Sequence, residues 1–279
     1  MDARLSKNSN VVTAIQRETG AARSSLKSGL DVLQLLSQRQ DLTLTEISIA
    51  LGKSKSGMHS ILNTLRERSF IERISSGEYR LGPRAWELGR ASYSFEIDEL
   101  ARPFLARLEE RTSEGVIHGV LDGFDVLYLS ILPGKQAVRL NVEVAERIPA
   151  NMTSTGICLL AALPDEEISR LLPEMFEKST EFSVSNPKAL WREIEAARVK
   201  GYSIMKRGWH VDVGGMAKCV MDEHGKAVSA ICVSAPLYRV DQNWYDTVLK
   251  EIEFAVRCIE DRMNDGRRDR ASGGFGHRR

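Results

Sequence analysis

The chain has 279 residues, room for one large domain or two smaller ones, and 42% of them are hydrophobic, as suits a folded globular protein rather than a disordered one. No window approaches the run of apolar residues that a transmembrane helix needs, and the polar start (Ser6, Lys7, Asn8, Ser9, Asn10) lacks the apolar stretch of a signal peptide, so a cytoplasmic location and no membrane contact are expected. The net charge of +1 hides an asymmetry: residues 23–82 hold nine Lys/Arg against six Asp/Glu, a net +3, and residues 83–264 hold 22 against 28, a net −6, which fits a basic nucleic-acid module carried by an acidic body.

Residues 1–22 read as a flexible arm. Residues 24–38 predict a helix with Leu26, Leu30, Leu33 and either Leu35 or Leu36 facing its core. Thr43-Leu44-Thr45-Glu46 then forms a capping box, a hydroxyl at the helix start with a carboxylate three residues on. The short helix that follows places Leu44, Ile47 and Leu51 on one face, and Gly52 breaks it. Ser54 caps a second helix from Lys55 that buries Met58, Ile61, Leu62 and Leu65. Its opposite face shows Lys55, Ser56, His59, Ser60, Asn63 and Arg66, the short polar and basic groups a helix needs to enter a DNA groove. Residues 70–74 and 78–81 read as two strands joined by the Ser75-Ser76-Gly77 turn. Helix, turn, helix and hairpin give a winged helix-turn-helix over residues 23–82. Gly82-Pro83 opens a linker helix over residues 83–95 that carries Trp86, Leu88 and Tyr93.

Residues 96–264 change character. A helix over 96–112 is followed by strand candidates at 116–121, 126–132 and 137–144, with Asp122-Gly123 as the turn between the first two. Helices near 153–162, 165–172 and 187–200 precede strands near 202–206, 213–221 and 227–234, and a last helix spans about 242–264. The pattern is α+β, an antiparallel sheet flanked by helices. Residues 265–279, with five arginines, read as a disordered basic tail. The four cysteines form no CxxC pair and the five histidines are scattered, so reduced thiols, no metal site and no cofactor are expected.

Residues 24–264 resemble the IclR (isocitrate lyase regulator) family of bacterial transcription factors. The match is carried by Leu44-Thr45-Glu46-Ile47, Leu51-Gly52-Lys53-Ser54-Lys55-Ser56 and His59, and by Tyr79-Arg80-Leu81-Gly82-Pro83. It continues through Leu100-Ala101-Arg102-Pro103, Leu121-Asp122-Gly123, Tyr128 and residues 149–156, and ends with Lys200-Gly201-Tyr202, Gly225 and Val233-Ser234-Ala235-Pro236. The resemblance implies a winged-helix domain and a GAF/PAS-like domain that binds a small metabolite. It also implies a homodimer, commonly a dimer of dimers (a homotetramer), on palindromic operator DNA, and a repressor more often than an activator.

For the DNA groove the candidates are Lys55, Ser56, Gly57, His59, Ser60 and Asn63; Arg73 and Arg80 on the wing, with Arg23 and Lys27, are the candidates for phosphate. The alternative is a solvated polar face. For the effector, the resemblance points to Asn151, Thr153, Ser154, Thr155 and Gly156, and a helix start with free N–H groups and hydroxyls suits a carboxylate. Thr153 or Ser154 as a plain cap is the alternative. By position in the matching segment, Met205, Val213, Gly215, Cys232 and Ser234 form the far wall. Trp209, His210 and Asp212 reach the ligand or a subunit interface, and Leu140 and Val142 add apolar surface. The family often has an acidic residue at the place of Met205, a Cys at that of Gly215 and a bulky basic residue at that of Ser60. The expected effector is a small organic acid, semialdehyde or aromatic acid. The chain holds no G-x-S-x-G, P-loop or HExxH, so it is read as a regulator and not an enzyme. The other readings are a scaffold whose second domain only oligomerises, or an enzyme using Ser154 with His118 or His210.

Overall fold

The computed structural model describes residues 25–138, 144 and 147–272, with side chains to residue 265. The chain divides into two compact units between Ser92 and Tyr93. Arg23, Leu140 and Val142 lie outside the described residues.

The first unit runs α1 (Ser25–Gln38), α2 (Leu44–Ala50), α3 (Lys55–Glu67), β1 (Ile71–Arg73), β2 (Tyr79–Leu81) and α4 (Pro83–Arg90). The capping box forms as its residues dictate: Glu46 N–H donates to Thr43 Oγ1 at 3.3 Å and Thr43 N–H to Glu46 Oε2 at 2.8 Å. Gly52 takes φ +60°, the left-handed conformation that ends α2 cheaply only for glycine. Val32, Leu36, Ile47, Met58 and Leu62 make one buried core. β1 and β2 pair antiparallel, and Leu42 adds a bridge to Tyr79 that the sequence reading missed.

Two expectations in this unit are corrected. Leu26 and Leu30 are 72% and 57% exposed; α1 turns inward the stripe Ser28, Val32, Leu35 and Leu36. That face brings Val32, Leu35 and Leu36 into the core, and it also lets Ser28 Oγ accept from Lys53 Nζ, with Asp31 3.8 Å from the same ammonium. The linker helix also stops at Arg90, not near residue 94. Gly89 weakens its last turn, and Ser92 Oγ caps the Gly89 carbonyl at 2.7 Å.

The second unit opens with α5 (Tyr93–Thr112), then β3 (Gly115–Asp122), β4 (Asp125–Leu132), β5 (Arg147–Pro149), a single 3₁₀ turn (Ala150–Met152) and α6 (Ser154–Ala161). It continues with α7 (Asp165–Leu171), α8 (Pro187–Lys200), β6 (Ser203–Lys206), β7 (Val213–Met221), β8 (Ala227–Pro236) and α9 (Gln242–Ser272). The six strands lie in the order β5-β4-β3-β8-β7-β6, all antiparallel. Alternation sorts side chains to two faces. Val116, Ile231 and Val233 pack under α5 and α9; Ile117, Ala230 and Cys232 pack under α6, α7 and α8. With both faces covered, β8 reads as a nearly continuous run of apolar and small residues.

Two differences from the sequence reading stand here. The strand beside β4 is β5; of the expected strand at 137–144, residues 137, 138 and 144 are not in a strand, and 139–143 lie outside the described residues. α9 continues to Ser272, eight residues past the expected end and into the segment read as a disordered tail. A single glycine, Gly266, does not stop a helix that is already propagating.

Candidate DNA-reading face and effector cavity

α3 presents its outer face as its spacing predicts. Lys55, Ser56, Gly57, His59 and Ser60 are exposed, and Asn63 is half-buried with its amide 3.2 Å from His59 Nδ1. Ser54 caps the helix by accepting from Gly57 N–H at 3.3 Å; a Cβ on Gly57 would stand 3.2 Å from that hydroxyl, so the glycine keeps the cap open. The wing cations are partly engaged already. Arg80 pairs with Glu72 at 2.5 Å, and Arg73 donates to the Gly77 carbonyl at 3.1 Å while stacking on Tyr79. Both remain exposed, and such surface pairs yield readily to a phosphate. Lys27 is half-buried on α1.

In the second unit the 3₁₀ turn leads into α6 and its end walls a cavity of about 60 Å³, the space of a few water molecules. Thr153 is the N-cap, its Oγ1 accepting from Gly156 N–H at 2.9 Å. Ser154 and Thr155 follow as lining residues. The sheet supplies Val213, Gly215, Cys232 and Ser234, and the β6–β7 connection supplies Met205, Trp209 and His210. Ten of the fourteen expected effector residues therefore come together.

The others do not line it. Asn151 turns away and donates to the carbonyls of Glu177 and Val184 at 3.1 and 2.7 Å. Gly156 acts through its missing side chain: a Cβ would stand 2.3 Å from the Ala150 carbonyl oxygen, so only glycine lets α6 begin against the 3₁₀ turn. Asp212 is exposed, its carbonyl accepting from Leu237 N–H at 2.8 Å. Leu140 lies outside the described residues. Three lining residues were missed, Ile117, Tyr128 and Gly208; Met152 also lines the cavity and lies within the ligand-facing stretch 151–156 that the resemblance marks. Ile117 and Tyr128 were legible only as strand core. Gly208 is brought in by a close approach of two loops, for which the one available signal was the glycine itself.

The cavity is mostly apolar, with a few hydroxyls on its walls. Thr155 is 1% exposed and Ser234 5%, yet neither hydroxyl has a hydrogen-bond partner among the described residues. Ser154 Oγ lies 3.2 Å from Cys232 Sγ. Burial pushes the Cys232 thiol up to about 11, with Ser154 and then Thr155 pulling it partly back, so at neutral pH the group is a neutral thiol. Thr155 acts on the thiol through a weak hydroxyl–sulfur contact that falls outside ordinary hydrogen-bond geometry. Among the described lining residues none is Lys, Arg, Asp or Glu. An anion placed here would meet helix N–H groups, hydroxyls and His210 rather than a fixed cation.

A Ser154–His118 pair is not assembled. His118 projects from the sheet face opposite Ile117, where its Nδ1 lies 2.8 Å from Asp98 Oδ1, and Ser130 donates to the other carboxylate oxygen at 2.6 Å. Burial pushes the Asp98 carboxyl up, but the His118 and Ser130 hydrogen bonds outweigh it and hold the group below the usual range.

A winged helix-turn-helix followed by an antiparallel α+β unit with a mostly apolar, hydroxyl-bearing cavity is the build of a ligand-responsive transcription factor. Two family profiles match the chain, the IclR helix-turn-helix domain over residues 25–75 and the C-terminal domain of the bacterial transcriptional regulator IclR over residues 90–261. The chain belongs to the IclR family of transcriptional regulators. It is 31% identical to the regulator BhcR of Paracoccus denitrificans, over 80% of this chain and 81% of that one. It is 29% identical to the regulator XynR of Escherichia coli, over 78% and 88%. Among solved structures, an IclR homolog from Microbacterium hydrocarbonoxydans complexed with 4-hydroxybenzoate superposes with a TM-score of 0.78 at 26% identity, over 87% of this chain and 100% of the other.

Proposed function

We propose that the chain is a ligand-gated repressor of a catabolic operon, binding palindromic operator DNA as a dimer or dimer of dimers, with no catalytic role. α3 enters the major groove with Lys55, Ser56, His59 and Asn63 near base edges, and Arg73 and Arg80 exchange their wing partners for phosphates. The cavity at the start of α6 takes a small organic acid, semialdehyde or aromatic acid, its charged head toward the α6 N–H groups and its body among Ile117, Tyr128, Met205 and Val213.

The observation that carries this reading is the pair of orphaned buried hydroxyls, Thr155 and Ser234, on the walls of one cavity. Each costs the free protein stability that only a ligand's polar group or a bound water recovers. That the Microbacterium relative holds 4-hydroxybenzoate supports a carboxylic acid as the ligand class. Effector binding then shifts the population between arrangements of the assembly that differ in recognition-helix spacing, and the segment joining the two units carries the coupling.

The test is a gel shift of the purified protein on its own upstream DNA, at fixed salt with competitor DNA. The additives are 4-hydroxybenzoate, a two-carbon oxo acid and a four-carbon semialdehyde. The reading expects a specific shift whose midpoint moves at least fivefold with one compound. A specific shift that none of the three alters would favour the scaffold reading.

A further inference from the structure

A second segment, remote in sequence, holds the loop that forms one wall of the cavity. Asn151 Nδ2 ties both ends of residues 177–184, donating to the Glu177 and Val184 carbonyls. Within that segment the Ser183 hydroxyl is a buried hub. It accepts the N–H groups of Ser179 and Thr180 at 3.1 and 3.0 Å and donates to the Gly208 carbonyl at 2.7 Å. Thr180 Oγ1 donates to the neighbouring Arg207 carbonyl at 2.5 Å.

The loop so held is strained and tightly seated. Arg207 adopts φ +63°, a conformation a side chain tolerates only when its surroundings impose it, and its guanidinium stacks 4.9 Å from the Phe182 ring centre on the same segment. A Cβ on Gly208 would stand 2.3 Å from the Met152 carbonyl oxygen and 2.2 Å from Met205 Sδ. Gly208, Trp209 and His210 of this loop all line the cavity.

Gly208, Trp209 and His210 form one wall of the cavity, so how firmly this loop is held governs what the cavity admits. The strands and α6 are fixed by core packing and ladder hydrogen bonds. The loop at 207–212 is held by its own turn, by Ser183 and Thr180 at its near end, and by the Leu237 N–H on the Asp212 carbonyl at its far end.

We propose that residues 177–184 are a latch on the cavity: the Ser183 hydroxyl positions Gly208, and release of that hydrogen bond sets the rate at which ligand enters and leaves. Ser183 touches no ligand; it is a positioning residue, and it rests on the ligand reading only for what the loop admits. Because the latch opens in the free protein as well, its opening is readable without any ligand.

The experiment is hydrogen–deuterium exchange on the full chain for the wild type, Ser183→Ala, Ser183→Thr and Thr180→Val, with stopped-flow mixing against 4-hydroxybenzoate. In Ser183→Ala the hydrogen-bonded amides in residues 207–212, those of Arg207 and Asp212, should exchange roughly tenfold faster, the factor one ordinary hydrogen bond supplies, with α5, α9 and the central strands unchanged. Ser183→Thr should restore protection, and Thr180→Val should loosen the same amides more weakly. Association and dissociation should both accelerate in Ser183→Ala, with affinity within about threefold, since one opening step serves both directions. Unchanged exchange at 207–212, or faster exchange spread evenly over the whole unit, would overturn the proposal. Local acceleration in a protein that binds no 4-hydroxybenzoate would sustain the latch and count instead against the aromatic acid as effector.

Discussion

Replacing Thr155 by Val separates the cost of the cavity from its use. The two side chains have nearly the same shape, and Thr155 is 1% exposed, so the change removes an oxygen without opening space. In the free protein that oxygen has no partner among the described residues, and a buried unsatisfied hydroxyl costs about 1–3 kcal/mol. Thr155→Val should therefore leave the ligand-free protein at least as stable as the wild type, with a gain of up to about 1 kcal/mol, a rise in Tm of roughly 2–4 °C for a unit of this size, to the extent that no bound water serves the hydroxyl. A hydrogen bond to a charged ligand is worth about 1.5–3 kcal/mol, so the same variant should bind the effector roughly 10- to 100-fold more weakly. The two effects have opposite signs, which few accidental consequences of a core substitution share. The assay is a thermal melt with and without a tenfold range of effector, followed by titration calorimetry. A variant that melts lower than the wild type without ligand, or that binds with undiminished affinity, would refute the argument that the orphaned hydroxyl is there for a ligand.

Three further outcomes follow from the same geometry. Lys55→Ala with His59→Ala removes exposed groups only, so circular dichroism and Tm should be unchanged while specific operator binding in a gel shift is lost; retained binding would contradict the role given to α3. Gly156→Ala forces a Cβ to within 2.3 Å of backbone and should destabilise the second unit by about 3 kcal/mol in a urea titration, the upper range for overpacking. The Cys232 thiol is raised from an ordinary value near 9 to about 11, so the folded state keeps its proton where the unfolded state has lost it. Its stabilisation is fully present below pH 9 and lost as pH rises toward 11, on the order of 3 kcal/mol. Cys232→Ala should accordingly lose less stability than the wild type between pH 8 and pH 10.5, and equal losses would contradict the assignment.

What the sequence made legible was local. The capping box at Thr43 and Glu46, the cap at Ser54, the Gly52 break and the Asp122-Gly123 turn depend on neighbours a few residues apart, and each forms as read. The lining residues Thr153, Ser154, Thr155, Cys232 and Ser234 became legible through the family resemblance, since neither spacing nor composition brings the start of α6 to β8. What escaped was decided by tertiary contacts. The inner face of α1 was misread because Val32, Leu35 and Leu36 enter the core in place of Leu26 and Leu30, a choice hydrophobic periodicity does not make. Asn151 was placed with the ligand because it falls in the stretch that resembles the family's ligand-facing loop, whereas its amide serves carbonyls 26 and 33 residues away. Gly208 enters the cavity through a backbone approach that has no period at all.

The central claim is that one cavity controls DNA affinity, and it is tested most directly by fluorescence anisotropy of a labelled upstream DNA fragment, titrated with wild type and with Thr155→Val at rising effector. Both proteins should bind the free fragment equally well. The effector should shift the wild-type affinity at least fivefold, and the variant should need roughly 10- to 100-fold more of it for the same response. Identical effector responses in the two proteins would contradict the account.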